Sequence, residues 1–93
     1  RMSRGLGDVY KRQIVDGQAE ALEFHADSTT MNTGIPFKDI KFRKNLIVAA
    51  IERNGKVIIP SGNDCIYDGD SVVIVCRNSR IYELNDVFEN GGR

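Results

Sequence analysis

Asn54-Gly55 stands between two apolar runs, Leu46–Arg53 (LIVAAIER) and Lys56–Pro60 (KVIIP), and this arrangement constrains the chain more than any other feature. A two-residue type I′ turn requires positive φ at both central positions, which Asn followed by Gly tolerates best. The spacing therefore predicts a β-hairpin. The first run is apolar on both faces as far as Ile51, the pattern of a strand covered on two sides.

Other segments share the two-residue period. Across Ala19–Ala26, Leu22, Phe24 and Ala26 fall on one face and Ala21, Glu23 and His25 on the other, a half-buried strand. Asp27–Asn32 is rich in Ser, Thr and Asn, and Gly34 and Pro36 follow, so this stretch reads as a loop. Pro36 suits the first position of a short helical turn over Phe37–Phe42. Ser61–Asp64 turns the chain, Cys65–Tyr67 suits a short strand, and Asp68-Gly69 leads into a further apolar strand, Asp70–Arg77. The period then changes. Ile81, Leu84, Val87 and Phe88 recur at three and four residues, which predicts an amphipathic helix over Ser79–Glu89. Asn78 or Ser79 would cap it, and Asn90-Gly91-Gly92 would end it. Strands and helices do not alternate regularly. The expected class is therefore α+β: a small mixed or antiparallel sheet with a helical turn after the first strand and one C-terminal helix.

Ninety-three residues make one domain with a thin core, so association with a partner or a second copy would matter to it. Charged residues at 28% and apolar residues at 41% are ordinary for a folded domain. The longest apolar stretch, Leu46–Ile51, is too short to cross a bilayer. The formal net charge of +0 conceals an asymmetry, because residues 1–13 hold Arg1, Arg4, Lys11 and Arg12 against Asp8 alone. Without them, 13 − 4 = 9 basic residues face 13 − 1 = 12 acidic ones, a balance of −3 that argues against nucleic acid as a partner. Residues 1–13 (RMSRGLGDVYKRQ) lack strand or helix periodicity and any apolar core of a secretory signal. They resemble a spurious leader that recurs on gene models assembled from environmental sequence. The expected organisation is a non-native leader over 1–13, a folded domain over 14–89 and a tail over 90–93.

The inventory for catalysis is poor. His25 is the single histidine, and Cys65 and Cys76 make neither a disulfide framework nor a zinc site with it. Both thiols are expected to be reduced, with Cys76 a small buried hydrophobe. His25 reads as a surface residue near Glu23 and Asp27, with a pH- or metal-responsive role as the alternative. The glycines sit singly in turns and form no phosphate-binding loop. Asp64, Asp68 and Asp70 are spaced like the start of a calcium loop, but no downstream glutamate completes it, and turn chemistry accounts for them better. One charged cluster stands out: Lys38, Lys41, Arg43 and Lys44. It is either a solvated surface or an anion-accepting rim, in which Arg43 contacts a phosphate, Asn45 reads a polar edge, and Ile59 and Pro60 supply an apolar platform. No acid–base pair or activated nucleophile accompanies it, so the pattern fits binding rather than turnover, and no enzyme is expected.

The segments VDGQAEALEF (15–24), TGIPFKDI (33–40), LIVAAI (46–51), NGKVIIPSG (54–62), DGDSVVIV (68–75) and LNDVF (84–88) resemble, in order and spacing, the second C-terminal domain of Trk-system potassium uptake regulatory subunits (TrkA). Such domains are of the regulator of potassium conductance, C-terminal type. The resemblance covers residues 14–89. It implies an α+β domain that forms a homodimer and belongs to a longer, cytoplasmic subunit held at the inner face of the cell membrane through its partners. Those partners are the nucleotide-binding domain of the same subunit and a membrane potassium-translocating subunit. The resemblance implies no cofactor within this chain, because the nucleotide-binding part is not included. Some relatives bind cyclic di-adenosine monophosphate at the dimer interface of the C-terminal domains. By position, Ile40, Arg43, Asn45, Ile59 and Pro60 are the nearest candidates for contact with such a cyclic dinucleotide. Two readings follow: a ligand-sensing dimer, and a structural dimerisation or docking module without a ligand.

Overall fold

Asn54 and Gly55 both take positive φ, 54° and 78°, where Gly in particular has no Cβ to strain the turn. They join two antiparallel strands that the sequence placed here. In the computed structural model, which describes residues 9–15, 19–77 and 80–89, the strands are β1 (Val9–Val15), β2 (Ala19–His25), β3 (Leu46–Arg53), β4 (Lys56–Ile58) and β5 (Ser71–Arg77). They form a single antiparallel sheet in the order β1-β2-β5-β3-β4. The most uniformly apolar strand, β5, occupies the centre between β2 and β3.

The pleat divides each strand between two faces. Leu22 and Phe24 of β2, Val72, Ile74 and Cys76 of β5 and Ile51 of β3 lie on the inner face and are buried. The covering layer consists of loops, which contribute Ala26, Ile66, Ile81, Leu84, Val87 and Phe88 to the same core. The alternation expected for Ala19–Ala26 is present, with Leu22, Phe24 and Ala26 buried and His25 exposed.

Several expectations require correction. The α+β class is overturned: among the described residues there is no α-helix, only two 3-10 turns, Phe37–Asp39 and Leu84–Val87. This is an all-β sheet domain. The C-terminal helix fails for a physical reason. Groups that an α-helix would pair internally are engaged from outside the segment: Ile81 O, which would accept from Asn85 N, accepts from Arg12 Nη2 at 3.2 Å, and Glu89 N, which would donate to Asn85 O, donates to Lys41 O at 2.9 Å. The Asp86 carboxylate accepts from Tyr82 N and Glu83 N and starts a 3-10 turn. Ile81, Leu84 and Val87 recur every third residue, which suits a three-residue turn. Phe88 then leaves it to pair in a β-bridge with Phe42. The proposed caps at Asn78, Ser79 and Asn90–Gly92 lie outside the described residues.

The helical turn after β2 is shorter than the expected Phe37–Phe42, and Cys65–Tyr67 forms no strand. Nor is β3 covered on both sides. Ile47, on its outer face, is 62% exposed. Within the expected leader, Val9–Gln13 pairs with β2 as part of β1, while residues 1–8 lie outside the described residues.

Candidate functional site

Two turns are stitched together beside the start of β3. Phe37 N donates to Asp64 O at 2.9 Å and Lys38 N to Gly62 O at 3.0 Å, so the Pro36–Asp39 turn lies against the Ser61–Asp64 turn. Asn45 then takes φ 66° and its carbonyl accepts from Arg77 N at 2.9 Å, which sets β3 against β5. Between these elements lies a groove of about 320 Å³, lined by Phe37, Phe42, Leu46, Val48 and Pro60, with Lys38 at its rim. The rings of Phe37 and Phe42 meet edge to face at 5.5 Å, and Phe42 lies 5.7 Å from Phe88, so the groove floor continues into the core.

The five residues singled out from the sequence are not all brought together. Pro60 lines the groove. Asn45 lines an adjoining depression of about 470 Å³ that shares Leu46 and Ile47 with it and extends over Ala19, Val75 and Arg77. Ile40 is half-buried against the core. Ile59 is 75% exposed and lines neither depression. Arg43 points to the C-terminal segment, where its guanidinium serves the carbonyls of Arg80 and Asp86. Of the basic cluster, Lys38 reaches the groove and Lys41 and Lys44 are exposed. Sequence reasoning found Lys38 and Pro60 but missed the aromatic pair Phe37 and Phe42. The signal available was two aromatics flanking a turn that begins with proline.

Asp64, Asp68 and Asp70 do not converge. Asp64 accepts from Ser61 N at 2.7 Å. Asp70, 1% exposed, binds Arg53 in a two-pronged pair at 2.9 and 2.8 Å and also accepts from Tyr67 N. Arg53 further donates to Cys65 O at 2.9 Å and lies 4.7 Å over the Tyr67 ring. The hydrogen bond to Asp70 raises the Arg53 pKa. This pin locks the 65–70 loop onto the end of β3. No group of three or more metal-ligating side chains occurs among the described residues. His25 is exposed, with Nδ1 3.1 Å from Ser71 Oγ. Cys76 is buried, and desolvation, with a smaller contribution from Glu20, pushes its thiol pKa up, so it is a poor nucleophile.

The outer face of the sheet is the second surface of interest. The strand register sets Ala21, Val75 and Ile47 in one row and Glu23, Val73 and Ala50 in the next. Val57 of β4 is 70% exposed on the same face, opposite Glu52. An antiparallel sheet with one face in water ordinarily presents polar residues there. Here the middle of that face is apolar, with Glu23, Glu52, His25 and Arg77 around it. Among the described residues no helix is long and apolar enough to cross a membrane.

Comparison with known proteins gives consistent matches. The model of the TrkA-C domain family matches residues 27–89. Trk system potassium uptake protein TrkA homolog 2 of Methanosarcina mazei is 30% identical over 89 residues, 96% of this chain and 20% of that protein. Trk system potassium uptake protein TrkA of Azorhizobium caulinodans is 32% identical over 75 residues, 81% of this chain and 16% of its own length. The homolog of Pyrococcus horikoshii is 32% identical over 72 residues, 76% of this chain and 32% of its length. The chain thus spans between 16% and 32% of the length of these relatives. The Methanosarcina match also reaches into residues 1–13, since it leaves only 93 − 89 = 4 residues of the chain unmatched.

Proposed function

This chain belongs to the TrkA-C domain family, and from that premise we propose that it is a regulatory module of a potassium uptake system that carries out no catalysis and acts as a homodimer. The single observation that carries the dimer is the apolar outer face of the sheet, where Val75 and Val73 are flanked by Ile47 and Val57, 62% and 70% exposed. Two such faces related by a two-fold axis would pack about 10 Å apart, as in a sandwich. The module acts on the cytoplasmic side of the membrane, beside the nucleotide-binding part of its own subunit and a membrane potassium-translocating subunit. Sedimentation of the chain and of Val75→Lys tests the dimer. The chain should run as a dimer and the variant as a folded monomer; a monomer at every concentration for the unmodified chain removes the reading.

A small anionic ligand, of which a cyclic dinucleotide is the chemical type, would bias the dimer by binding one arrangement better than another. Pro60 and Asn45 line the two adjoining depressions that would receive it, whereas Ile59 lines neither and Ile40 packs against the core. Arg43 would have to leave the Arg80 and Asp86 carbonyls to reach a phosphate. That engagement favours the second reading, a structural docking module without a ligand. Titration with cyclic di-adenosine monophosphate separates them: a raised melting temperature that grows with ligand supports sensing, and no shift supports docking alone.

A further inference from the structure

We infer that the open edge of β3 accepts an extended peptide segment of a partner protein as an added antiparallel strand, with carboxylates at the segment's C-terminal end. The inference goes beyond the proposed dimer and does not depend on it.

β4 pairs with β3 only from Ile51 to Arg53. From Leu46 to Ala50 the strand has β5 on one side and, among the described residues, no strand on the other. The bond from Arg77 N to Asn45 O marks Asn45–Arg77 as a hydrogen-bonded pair. Such pairs alternate along an antiparallel ladder, so Leu46 and Val48 aim their N–H and C=O groups away from β5, towards the open side. Exposed backbone of this kind is a template for strand addition.

The surroundings select the segment. The groove beside this edge is lined by Phe37, Phe42, Val48 and Pro60, so alternate residues of an added strand would seat aliphatic side chains there. Lys38 stands at the rim, and Lys41 and Lys44 are exposed just before β3 begins. In an antiparallel arrangement the C-terminal end of the added segment lies beside that basic stretch. Charge complementarity therefore places the carboxylates at that end. Arg43 takes no part, because its guanidinium serves the Asp86 and Arg80 carbonyls.

An array of short synthetic peptides read by fluorescence polarisation on the full chain tests this. Each alternates valine or isoleucine with threonine, and carries two glutamates at its C-terminal end, two at its N-terminal end, or two lysines. Binding should favour C-terminal glutamates by about tenfold over the lysine set and weaken with added salt. N-methylation of the peptide residues that pair with β3 should abolish it, and N-methylation of the intervening residues should not. Val48→Pro removes one outward N–H without breaking the ladder with β5, and should lose binding while keeping a cooperative melt. The inference is overturned if no peptide binds below about 1 mM, if N-methylation or flanking charge makes no difference, or if folded Val48→Pro binds as before. Sedimentation decides the remaining occupant: a dimer dissociated by Val48→Pro but not by Val75→Lys would make this edge a self-pairing site instead. Peptide binding that persists in monomeric Val75→Lys supports the inference and keeps it separate from the fate of the proposed dimer. Competition by cyclic di-adenosine monophosphate would show that both occupants use one groove.

Discussion

The two faces of the sheet are built from the same strands by the same alternation, yet they meet different surroundings. On the inner face Leu22, Phe24, Val72 and Ile74 are fully buried under a layer of loops. On the outer face, Ala21, Val73 and Val75 stand between those residues along the strands and are only half-buried, and nothing in the chain's described residues lies over Ile47. Apolar character alone does not distinguish the faces. What distinguishes them is whether the loops return over them, and among the described residues the 26–42, 61–70 and 80–89 segments return on the inner side. The inner face accordingly holds the fold, and the outer face has no covering loop among the described residues.

The largest effect expected from this contrast is on the inner face. Phe24→Ala empties a fully buried site and should lower stability by about 3–5 kcal/mol in urea unfolding. That is a large share of the roughly 5–15 kcal/mol available to a domain. Val75→Ala, which takes two carbon atoms from half-open surface, should cost under about 1 kcal/mol in the dilute monomer. Equal losses would break the comparison by showing that the outer face is covered too.

Next in size is the pin at the edge of the core. Asp70→Ala strands Arg53 and leaves Tyr67 N without its acceptor. Removing one partner of a buried pair typically costs 3–5 kcal/mol, but Arg53 is 29% exposed and regains water, so about 2–3 kcal/mol is expected. Hydrogen exchange should show the loss concentrated in the 65–70 loop. A uniform loss across the sheet would mean that the pin supports the whole inner layer.

How much of this was legible in the sequence follows the same division. Period-two alternation and the Asn54-Gly55 turn carry their own geometry, so β2, the hairpin and β5 could be read directly. The C-terminal segment could not. Its apolar spacing fits an α-helix and a 3-10 turn alike, and the choice was made by residues distant in sequence, Arg12 taking Ile81 O and Lys41 O taking Glu89 N. The same holds at the site. Lys38 and Pro60 were legible as a basic residue and a platform, whereas Arg43 looked free because the segment that occupies it was read as a helix. Asp70 looked like a turn residue because its partner, Arg53, lies across a loop. The double covering of β3 was inferred from its composition, and composition does not say which side the loops take.

A smaller effect sharpens the contrast through Arg43. Arg43→Ala removes donors to Asp86 O and Arg80 O but leaves the backbone bond from residue 43 to Val87 O. About 1–2 kcal/mol should be lost, since these are hydrogen bonds from a charged group that is partly exposed. The measurement that matters is local. Exchange protection should fall over 80–89, which closes the inner layer, and stay unchanged at Ala21, Val73 and Val75.

The smallest expected effect depends on pH and belongs to Cys76, the inner-face thiol. Burial raises its folded pKa above the ordinary value near 9.0. Below that ordinary value both states keep the proton, and the full contribution is present. As pH rises past it, the unfolded chain releases the proton while the folded chain retains it. The unfolded state then binds fewer protons, so stability falls with pH until the folded thiol also ionises. The exposed Tyr67 hydroxyl, raised first by its hydrogen bond with Cys65, adds a slope of the same sign. The test is therefore a difference: urea midpoints of the chain and of Cys76→Ala across the alkaline range. The chain should lose more stability than the variant as pH rises, and a thiol reagent in the native state should modify Cys65 before Cys76. Parallel curves, or Cys76 reacting first, would mean that water reaches the inner face at β5 and that the two faces differ less than their burial indicates.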